Sequence, residues 1–498
     1  LLFHCNYTQE SKILYRNLIM KVAIEGCCHG CLDNIYKSIE NKEVELLIIC
    51  GDFQSVRNDA DLQSMSVPEK YKMMGDFQDY YMGKKKAPVF TIFIGGNHES
   101  SSYLEELKYG GFVAPRIYYM GRSSVVWYKG LRIGGLSGVY HKNDFMKLSQ
   151  EKYSFPLNPS SLRSIYHYRK DDYFKLKLLG EANNMIMLTH DWPEGIYNYG
   201  DVRQLLKVKP FFKQDIQKRD LGSPFTMSLL STLRPNYWFS AHLHTKFSAF
   251  VDWNVGTAVP KKRRDVDLET KADIAKRVKF DDVKPSCEID LKTSSNPTVE
   301  VRSTKTEKLS NKMDDGEVLL DMDDEEENQI NEDEIILEVK DDYTEKKKEK
   351  RQEPKLLKPT HFLALDKCLP RRKYMEVIDI PLSDINHASN KDEMKPFYYD
   401  TEYISSFKVI ESCKEKLNML TVEEILYPPL NLYEELIYAK KNYLRSFELM
   451  SNEEYDRMFN IGMNSFVQTA KPNEKHYKEY RNPQTEKFKI NFLPHDST

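Results

Sequence analysis

The stretch that decides the fold reads Val22-Ala23-Ile24-Glu25-Gly26-Cys27-Cys28-His29-Gly30. A short apolar run leads at once into a glycine turn and side chains that can bind metal. The same arrangement recurs from Lys21 to about Trp253. The apolar strands predicted there are Val22 to Ile24, Glu45 to Cys50, Val89 to Ile94, Leu131 to Gly135, Met185 to Thr189 and Tyr237 to Ala241. Such nearly continuous apolar runs are typical of strands buried on both faces, and they predict an α/β fold.

Metal-capable residues follow five of these strands directly. They are His29, Asp52, Asn97 with His98, His190, and His242 with His244. In α/β sheets, ligands gather beyond the carboxyl ends of the strands. Each motif alone is common in loops, but their order along the chain predicts one shared site.

Composition narrows the class of protein. The chain has 498 residues, of which 30% are charged, and a formal net charge of −3, which argues neither for nor against nucleic acid. No run of about 18 apolar residues occurs, so we expect no membrane span. Eight cysteines do not form a dense disulfide framework, and the tight spacing of Cys27, Cys28 and Cys31 favours a reduced, intracellular compartment.

The charge pattern divides the chain. Residues 1–19 lack the features of a secretory signal, and Met20 directly precedes the first strand, so we expect residues 1–19 to be a non-native or dispensable leader. Residues 256–357 are rich in Lys, Glu, Asp, Ser and Thr, which predicts a disordered charged linker between a catalytic domain at 20–255 and a C-terminal region at 358–498. A helical pattern from Glu423 to Leu449 makes that C-terminal region a mostly helical accessory part.

In order, the motifs resemble those of the calcineurin-like metallophosphoesterases: Asp-x-His, Gly-Asp, Gly-Asn-His-Glu, His and Gly-His-x-His. The resemblance implies an α/β fold of the αββα sandwich type with two metal ions bridged by one carboxylate. Carried over by position, Asp52 bridges the ions. The remaining ligands are Cys27, His29 and His244 for one ion, and Asn97, His190 and His242 for the other. Two ions about 3.5–4 Å apart suit phosphodiester hydrolysis.

Two positions depart from the family pattern. Cys27 stands where most members have Asp, and Ala241 precedes His242 where most have Gly. A thiolate is softer than a carboxylate, so it favours Fe(II) or Zn(II) over Mg(II) at that site. Mn(II) is a further candidate for the two ions. Side chains alternate in an extended segment, which makes Cys27 rather than Cys28 the ligand. The alternatives are buried, inert cysteines or a zinc knuckle from Cys28 and Cys31, which lacks a second pair.

One branch of the superfamily is matched more closely. The chain resembles the lariat RNA debranching enzymes, which hydrolyse the 2′–5′ phosphodiester at the branch point of excised introns. The residues that carry this resemblance are Gly26 to Gly30 with Leu32-Asp33, Gly95 to Glu99, Leu136 to Tyr140, Arg163 to Arg169, Thr189 to Pro193, Tyr237 to His244 and Phe362 to Arg372. It implies metal-activated attack of water, with His98 facing the substrate and protonating the leaving oxygen. The alternative for His98 is a histidine that only packs the loop.

The region 140–175 fits a lariat-recognition element. Its basic groups can meet phosphates, and its aromatic rings can stack on bases splayed from a branch. The predicted substrate-binding residues are Tyr140, Arg163, Tyr166, His167 and Arg169. The alternative is an ordinary solvated helix with a few buried tyrosines.

Further expectations follow from the resemblance. The partner is branched intron RNA, with splicing-associated proteins expected to bind the C-terminal region of a monomer. The basic run Pro260 to Arg264 fits a nuclear localisation signal. Two other functions stay open. A different metallophosphoesterase would act on small phosphomonoesters, and a non-catalytic scaffold would be free to lose ligands, whereas all seven positions here carry residues that can bind metal.

Overall fold

The computed structural model describes residues 18–150, 153–254 and 356–493. Most of the predicted leader and nearly all of the predicted charged linker, with the basic run Pro260 to Arg264, lie outside these residues. In the described parts of the chain, no helix combines the length and apolar character needed to cross a membrane.

Thirteen strands form two mixed sheets within the described residues. In chain order they are β1 (Ile19–Glu25), β2 (Leu46–Ile49), β3 (Phe90–Phe93), β4 (Gly111–Ala114), β5 (Ile117–Tyr119), β6 (Ser123–Tyr128), β7 (Leu131–Leu136), β8 (Ile186–Thr189), β9 (Tyr237–Ser240), β10 (Phe247–Val251), β11 (Thr360–Ala364), β12 (Met375–Pro381) and β13 (Phe397–Tyr399). All six strands predicted from the apolar runs are present, as β1, β2, β3, β7, β8 and β9.

Helices cover the outer faces of the sheets. They are α1 (Leu32–Ile39), α2 (Asp59–Gln63), α3 (Phe77–Tyr81), α4 (Ser101–Glu106), α5 (Lys142–Phe145), α6 (Pro159–Ser164), α7 (Lys170–Lys177), α8 (Val202–Val208), α9 (Phe212–Lys218), α10 (Pro224–Leu233), α11 (Thr401–Ser412), α12 (Lys414–Asn418), α13 (Val422–Leu426), α14 (Leu430–Glu448), α15 (Asn452–Phe459) and α16 (Pro483–Phe492).

The first sheet has the strand order β12-β1-β2-β3-β5-β4, and the second has the order β10-β11-β9-β8-β7-β6-β13. Strands β1, β2 and β3 run parallel, as do β7, β8, β9 and β11. Parallel neighbours bring their carboxyl ends to the same edge of a sheet. The strands that precede the predicted ligands therefore deliver them to one end of each sheet.

Alternation along β1 shows how the layers form. Val22 and Ile24 point into the apolar core shared by the two sheets, whereas Ala23 points to the core under the helices of the first sheet. A strand with period-two side chains and apolar residues on both faces has to be covered twice. The resulting helix–sheet–sheet–helix layering is the αββα sandwich that the sequence predicted.

The C-terminal region is more than a helical accessory. Strand β11 lies between β10 and β9 in the second sheet, β12 pairs with β1, and β13 pairs with β6. These strands complete both sheets of the catalytic sandwich, so residues 18–254 and 356–493 form one compact unit. This pairing was not predictable from local sequence, because each partner strand is more than 100 residues away.

Two boundaries also differ from the sequence-based prediction. The helical pattern from Glu423 to Leu449 is broken into α13 and α14, since Pro428 and Pro429 stand between them and proline cannot continue a helix. Strand β1 starts at Ile19, and the carbonyl of Leu18 accepts a hydrogen bond of 2.9 Å from the amide of Leu382. The end of the predicted leader therefore contributes backbone to the first sheet.

Candidate two-ion active site

The seven predicted ligands lie directly beyond the ends of five parallel strands. Cys27 and His29 follow β1, Asp52 follows β2, Asn97 follows β3, His190 follows β8, and His242 and His244 follow β9. The strand pairing of the two sheets thus places them around one cleft. Their roles as ligands stay predictions, and their geometry is described below.

The first half of the site consists of Cys27, His29, His244 and Asp52. One ligand atom from each of these residues lies within 4.8 Å of all the others. The Nε2 atoms of His29 and His244 are 3.2 Å apart, and His29 Nε2 is 3.6 Å from Asp52 Oδ2. One sulfur, two imidazole nitrogens and one carboxylate oxygen are a donor set that suits a four-coordinate ion.

The second half contains two buried acceptor atoms without a hydrogen-bond partner, Asn97 Oδ1 and His190 Nε2. His190 Nδ1 lies 2.7 Å from the carbonyl oxygen of Cys50 and donates to it, which directs Nε2 toward Asp52 Oδ1 at 3.4 Å. Buried polar atoms rarely stay unpaired. A cation held by these atoms would satisfy both, so the residues of the second half fit a metal ion.

The pKa shifts of the central residues also fit a bound metal ion. Burial would raise the pKa of Asp52, but His190 and His98 hold it well below its usual range. Burial would lower the pKa of His190, but Asp52 raises it to about 9. Each of these two residues therefore favours the charged form of the other, and a bound cation would take over the stabilisation of the Asp52 carboxylate. Burial, with Asp52 and Glu25 adding to it, raises the pKa of the Cys27 thiol, so this ligand also needs a cation to become a thiolate.

Four of the ligands have left-handed backbone conformations. The φ angles are 46° at His29, 48° at Asp52, 62° at His242 and 47° at His244. Such conformations cost about 1–3 kcal/mol each for residues other than glycine, and they cluster at functional sites. This concentration of strain at the strand ends could not be read from the sequence.

Two glycines permit the close packing of the ligands. A Cβ atom at Gly51 would lie 2.2 Å from His190 Nδ1, and one at Gly96 would lie 2.3 Å from Asp52 Oδ1. Any side chain at these positions would displace a ligand. The glycines in the Gly-Asp and Gly-Asn-His-Glu motifs therefore serve to let the backbone approach the ligands.

Glu99 is a site residue that the sequence reasoning left without a role. Its carboxylate accepts hydrogen bonds from the amides of Phe53 at 2.8 Å, Gln54 at 2.9 Å and Gly96 at 2.9 Å. Burial and the neighbouring charge of Asp52 raise the pKa of Glu99 to about 7. Glu99 therefore links the loop after β2 to the loop after β3. Its position as the last residue of the Gly-Asn-His-Glu motif could have indicated this role from the sequence.

His98 and Cys28 lie where the sequence placed them. The amide of His98 donates to Asp52 Oδ1 at 2.8 Å, and its half-buried ring lies 5.3 Å from the ring of His29. His98 thus borders the site with its ring accessible to a substrate. Cys28 is fully buried in the core under the first-sheet helices, on the opposite face from Cys27.

The predicted recognition region borders the second half of the site. The amide of Tyr140 donates to Asp191 Oδ2 at 2.6 Å, and Asp191 Oδ1 lies 3.6 Å from His242 Nε2. Arg163 is exposed, and Tyr166 is half-buried. These positions are compatible with contact to a bound polymer.

Arg169 is more buried than a surface RNA contact would be. It is only 4% exposed, and its guanidinium donates to the carbonyl of Ser164 at 2.8 Å. It therefore holds the recognition region together, and its contact with RNA stays a prediction. Asp144, which the sequence analysis did not name, has a similar role: its carboxylate accepts from Lys147 at 2.6 Å and pairs with His167 Nδ1 at 2.7 Å.

Comparison with known proteins accounts for nearly all of the described chain. Residues 20–246 match the calcineurin-like phosphoesterase family, and residues 357–492 match the C-terminal domain of lariat debranching enzymes. The lariat debranching enzyme of Schizosaccharomyces pombe is 40% identical over 485 residues, which are 95% of this chain and 95% of that protein. The chain belongs to the lariat debranching enzyme family.

Other members of the family show where the similarity is concentrated. The enzyme of Saccharomyces cerevisiae is 38% identical over 408 residues, covering 81% of this chain and 86% of that protein. The human lariat debranching enzyme is 53% identical over 238 residues, which are 47% of this chain and 43% of the human protein. The match to the vertebrate enzyme thus spans less than half of its length at higher identity.

Proposed function

We propose that this protein is an RNA lariat debranching phosphodiesterase that hydrolyses the 2′–5′ phosphodiester at the branch point of excised intron lariats. The observation that carries the proposal is the end-to-end similarity to the Schizosaccharomyces pombe lariat debranching enzyme. All seven predicted ligands also gather beyond the strand ends of one sandwich. A phosphatase for small monoesters would leave the basic, aromatic recognition region unused.

We propose Fe(II) or Zn(II), with Mn(II) as a further candidate, as the two ions. The thiol of Cys27 supports Fe(II) and Zn(II), because soft ligands favour these two ions over Mg(II). When bound, the ions polarise the phosphoryl oxygens and lower the pKa of a water ligand. The chain itself contributes the orientation of the ligands through Cys50, Gly51, Gly96 and Glu99.

His98 is proposed as the general acid. Its amide donates a hydrogen bond to Asp52, which fixes the backbone of His98 beside the site. An imidazolium can give its proton to the departing 2′-oxygen of the branch nucleotide, which then leaves as a hydroxyl. The phosphate stays on the 5′ end of the linearised intron.

Nuclear localisation and binding of splicing-associated proteins through the C-terminal region are also proposals. The basic run Pro260 to Arg264 supports the first, and the nuclear origin of lariats fits it. A fusion of residues 256–270 to a fluorescent protein tests it, with the four Lys and Arg residues at 261–264 changed to Gln as the control.

The activity is tested by incubating the pure protein with branched 2′–5′ RNA and with linear 3′–5′ RNA, anaerobically, with Fe(II), Zn(II) or Mn(II). We expect selective cutting of the branched RNA, with a 2′-hydroxyl on the branch nucleotide and a 5′-phosphate on the released strand. A 5′-hydroxyl product, or equal cutting of linear RNA, would contradict the proposal. Faster hydrolysis of a small phosphomonoester would point to a phosphatase instead.

A further inference from the structure

The segment that crosses from β11 in the second sheet to β12 in the first passes beside the active site. We call residues 365–374 the crossing segment. The amide of Cys27 donates to the carbonyl of Asp366 at 3.3 Å, the amide of Cys368 donates to the carbonyl of Cys27 at 3.1 Å, and the amide of Gly26 donates to the carbonyl of Tyr374 at 3.0 Å. A Cβ atom at Gly26 would lie 2.2 Å from the Asp366 carbonyl oxygen. The segment is therefore fastened to the loop that carries Cys27 and His29.

The crossing segment is strongly basic in a chain whose net charge is −3. It carries Lys367, Arg371, Arg372 and Lys373 against a single acidic residue, Asp366. Residues 369–373 are exposed, and Lys367 is half-buried. Arg372 forms an ion pair of 3.3 Å with Asp366, which leaves Lys367, Arg371 and Lys373 to determine the charge of this surface.

Lys367 lies directly beside the first half of the metal site. It pairs with Cys27 in an isolated parallel β-bridge, and it is half-buried. A cation held this close to a phosphodiesterase site is suited to a substrate phosphate.

An aromatic–basic strip before α9 extends the same surface. Phe211 is 63% exposed, and Lys209 Nζ lies 5.7 Å from the centre of its ring. Burial lowers the pKa of Lys209, and the charges of Asp366, Arg372 and Lys367 in the crossing segment also act on it. Phe211 adds an exposed ring on which a base can stack.

The two flanks of the site differ in which ion they border. The recognition region contacts Asp191 next to His242, in the second half. The crossing segment contacts Cys27, in the first half. A branched RNA has three strands leaving one nucleotide, so a site for it needs more than one route away from the reacting phosphate.

We infer that the crossing segment, with Lys209 and Phe211, forms a second RNA-binding surface that holds one single-stranded arm of the branched substrate, on the side of the metal site away from the recognition region. Lys367 and Arg371 bind phosphates of this arm, and Phe211 stacks on one of its bases. The inference rests on the proposed function and adds to it the path of one strand.

The test measures RNA binding in the metal-loaded His98→Ala protein, chosen so that the RNA stays intact. Branched RNAs with three arms of equal length are compared with RNAs in which each arm in turn is trimmed to one nucleotide. The Lys367→Gln/Arg371→Gln double variant should bind the full-length branched RNA about tenfold more weakly. The plot of the logarithm of the binding constant against the logarithm of salt concentration should become shallower by about 1.4, since each phosphate contact to a single strand contributes about 0.7 to the slope.

Trimming identifies the arm. When the arm that the crossing segment holds is trimmed, the double variant and its parent should bind the RNA equally. Phe211→Ala should weaken binding of the full-length branched RNA but not of this trimmed RNA. The Lys391→Gln/Lys441→Gln variant makes the same change in net charge at exposed lysines elsewhere and serves as the control; it should keep the parental slope. An unchanged slope in the Lys367→Gln/Arg371→Gln variant, or an equal loss for every trimmed RNA, would overturn the second surface.

The proposed function is judged separately. If the protein with His98 intact cuts no branched RNA, the proposed function fails, whereas the binding comparison still decides whether the crossing segment holds a strand. If branched RNA is cut but the arm dependence is absent, only the further inference fails.

Discussion

The two halves of the metal site share Asp52 but are built differently. In the first half, Cys27, His29 and His244 surround one position, the His29 side chain is 20% exposed, and the loop is fastened from outside by the crossing segment. In the second half, His190 is fully buried and aimed by a backbone carbonyl, and the acceptor atoms of Asn97 and His190 have no protein partner.

This difference separates two tasks. A thiol ligand from Cys27 would make the first half the place where the identity of the metal is chosen. His190, fixed by its second nitrogen, would make the second half the place where the orientation of the ligands is set. Changes in the first half should therefore alter which ion works best, and changes in the second half should alter whether the site works.

Asp52→Asn tests the shared residue and should have the largest effect. It removes the negative charge that both ions would share, and several kcal/mol of charge stabilisation correspond to about 10³-fold or more in rate. Metal analysis of the purified variant should show fewer than two ions per chain, alongside the loss of turnover. Two retained ions would show that the halves do not depend on a common carboxylate.

His98→Ala tests the residue that borders both halves and is proposed as the general acid. We expect the rate of debranching to fall on the order of 10²–10⁴-fold. Metal content should stay close to that of the unmodified protein, as measured by elemental analysis. If an ion is lost instead, His98 is a ligand, and the division of the site has to be redrawn.

Cys27→Asp tests the choice of metal in the first half. It installs the usual carboxylate of the superfamily, so the ratio of activity with Mn(II) to activity with Zn(II) should rise on the order of tenfold. Cys28→Ser is the matched control, because that side chain lies in the opposite core, and it should leave the ratio unchanged. If Cys28→Ser cripples the enzyme while Cys27→Ser does not, the neighbouring sulfur is the ligand.

Deletions outside the described residues should have the smallest effect. Removing residues 1–17, or most of residues 265–350, takes away none of the ligands of either half. Debranching in vitro should stay within about twofold of the full chain. Strand β1 begins at Ile19, so a deletion that reaches residue 19 is expected to reduce stability as well. Loss of activity in the 1–17 deletion would show that this segment contributes to the fold or to the site.

The central strands, and the positions of the candidate ligands at their ends, were predictable for a local reason. Each candidate ligand follows an apolar run within a few residues, as Asp52 follows β2 and His190 follows β8, and parallel strands then bring the loops together. The alternation that separates Cys27 from Cys28 is also local. The αββα layering was implied by the resemblance to the metallophosphoesterases.

The remaining features depend on distant partners. Strand β11 enters the second sheet between β10 and β9, and nothing near Thr360 in the sequence indicates those neighbours. Arg169 looked like an RNA contact because its type and surroundings fit, yet Ser164 and Asp144 hold it inside. The sequence of the crossing segment contributed to the family resemblance. Its position beside Cys27, however, depends on the strand pairing that completes both sheets.

The insertion of β11 affects how the protein can fold during synthesis. Strand β10 pairs with β11, and the loop that carries Cys27 and His29 is completed by a segment that follows β11. Roughly 100 residues separate Asn254 from Leu356, and at about 5–20 residues per second a ribosome needs about 5–20 s to translate them. During that interval the nascent chain has all of its proposed metal ligands but lacks the strand that closes the sheet. The second sheet and the loop that carries Cys27 can therefore be completed only after residues 360–374 have been translated.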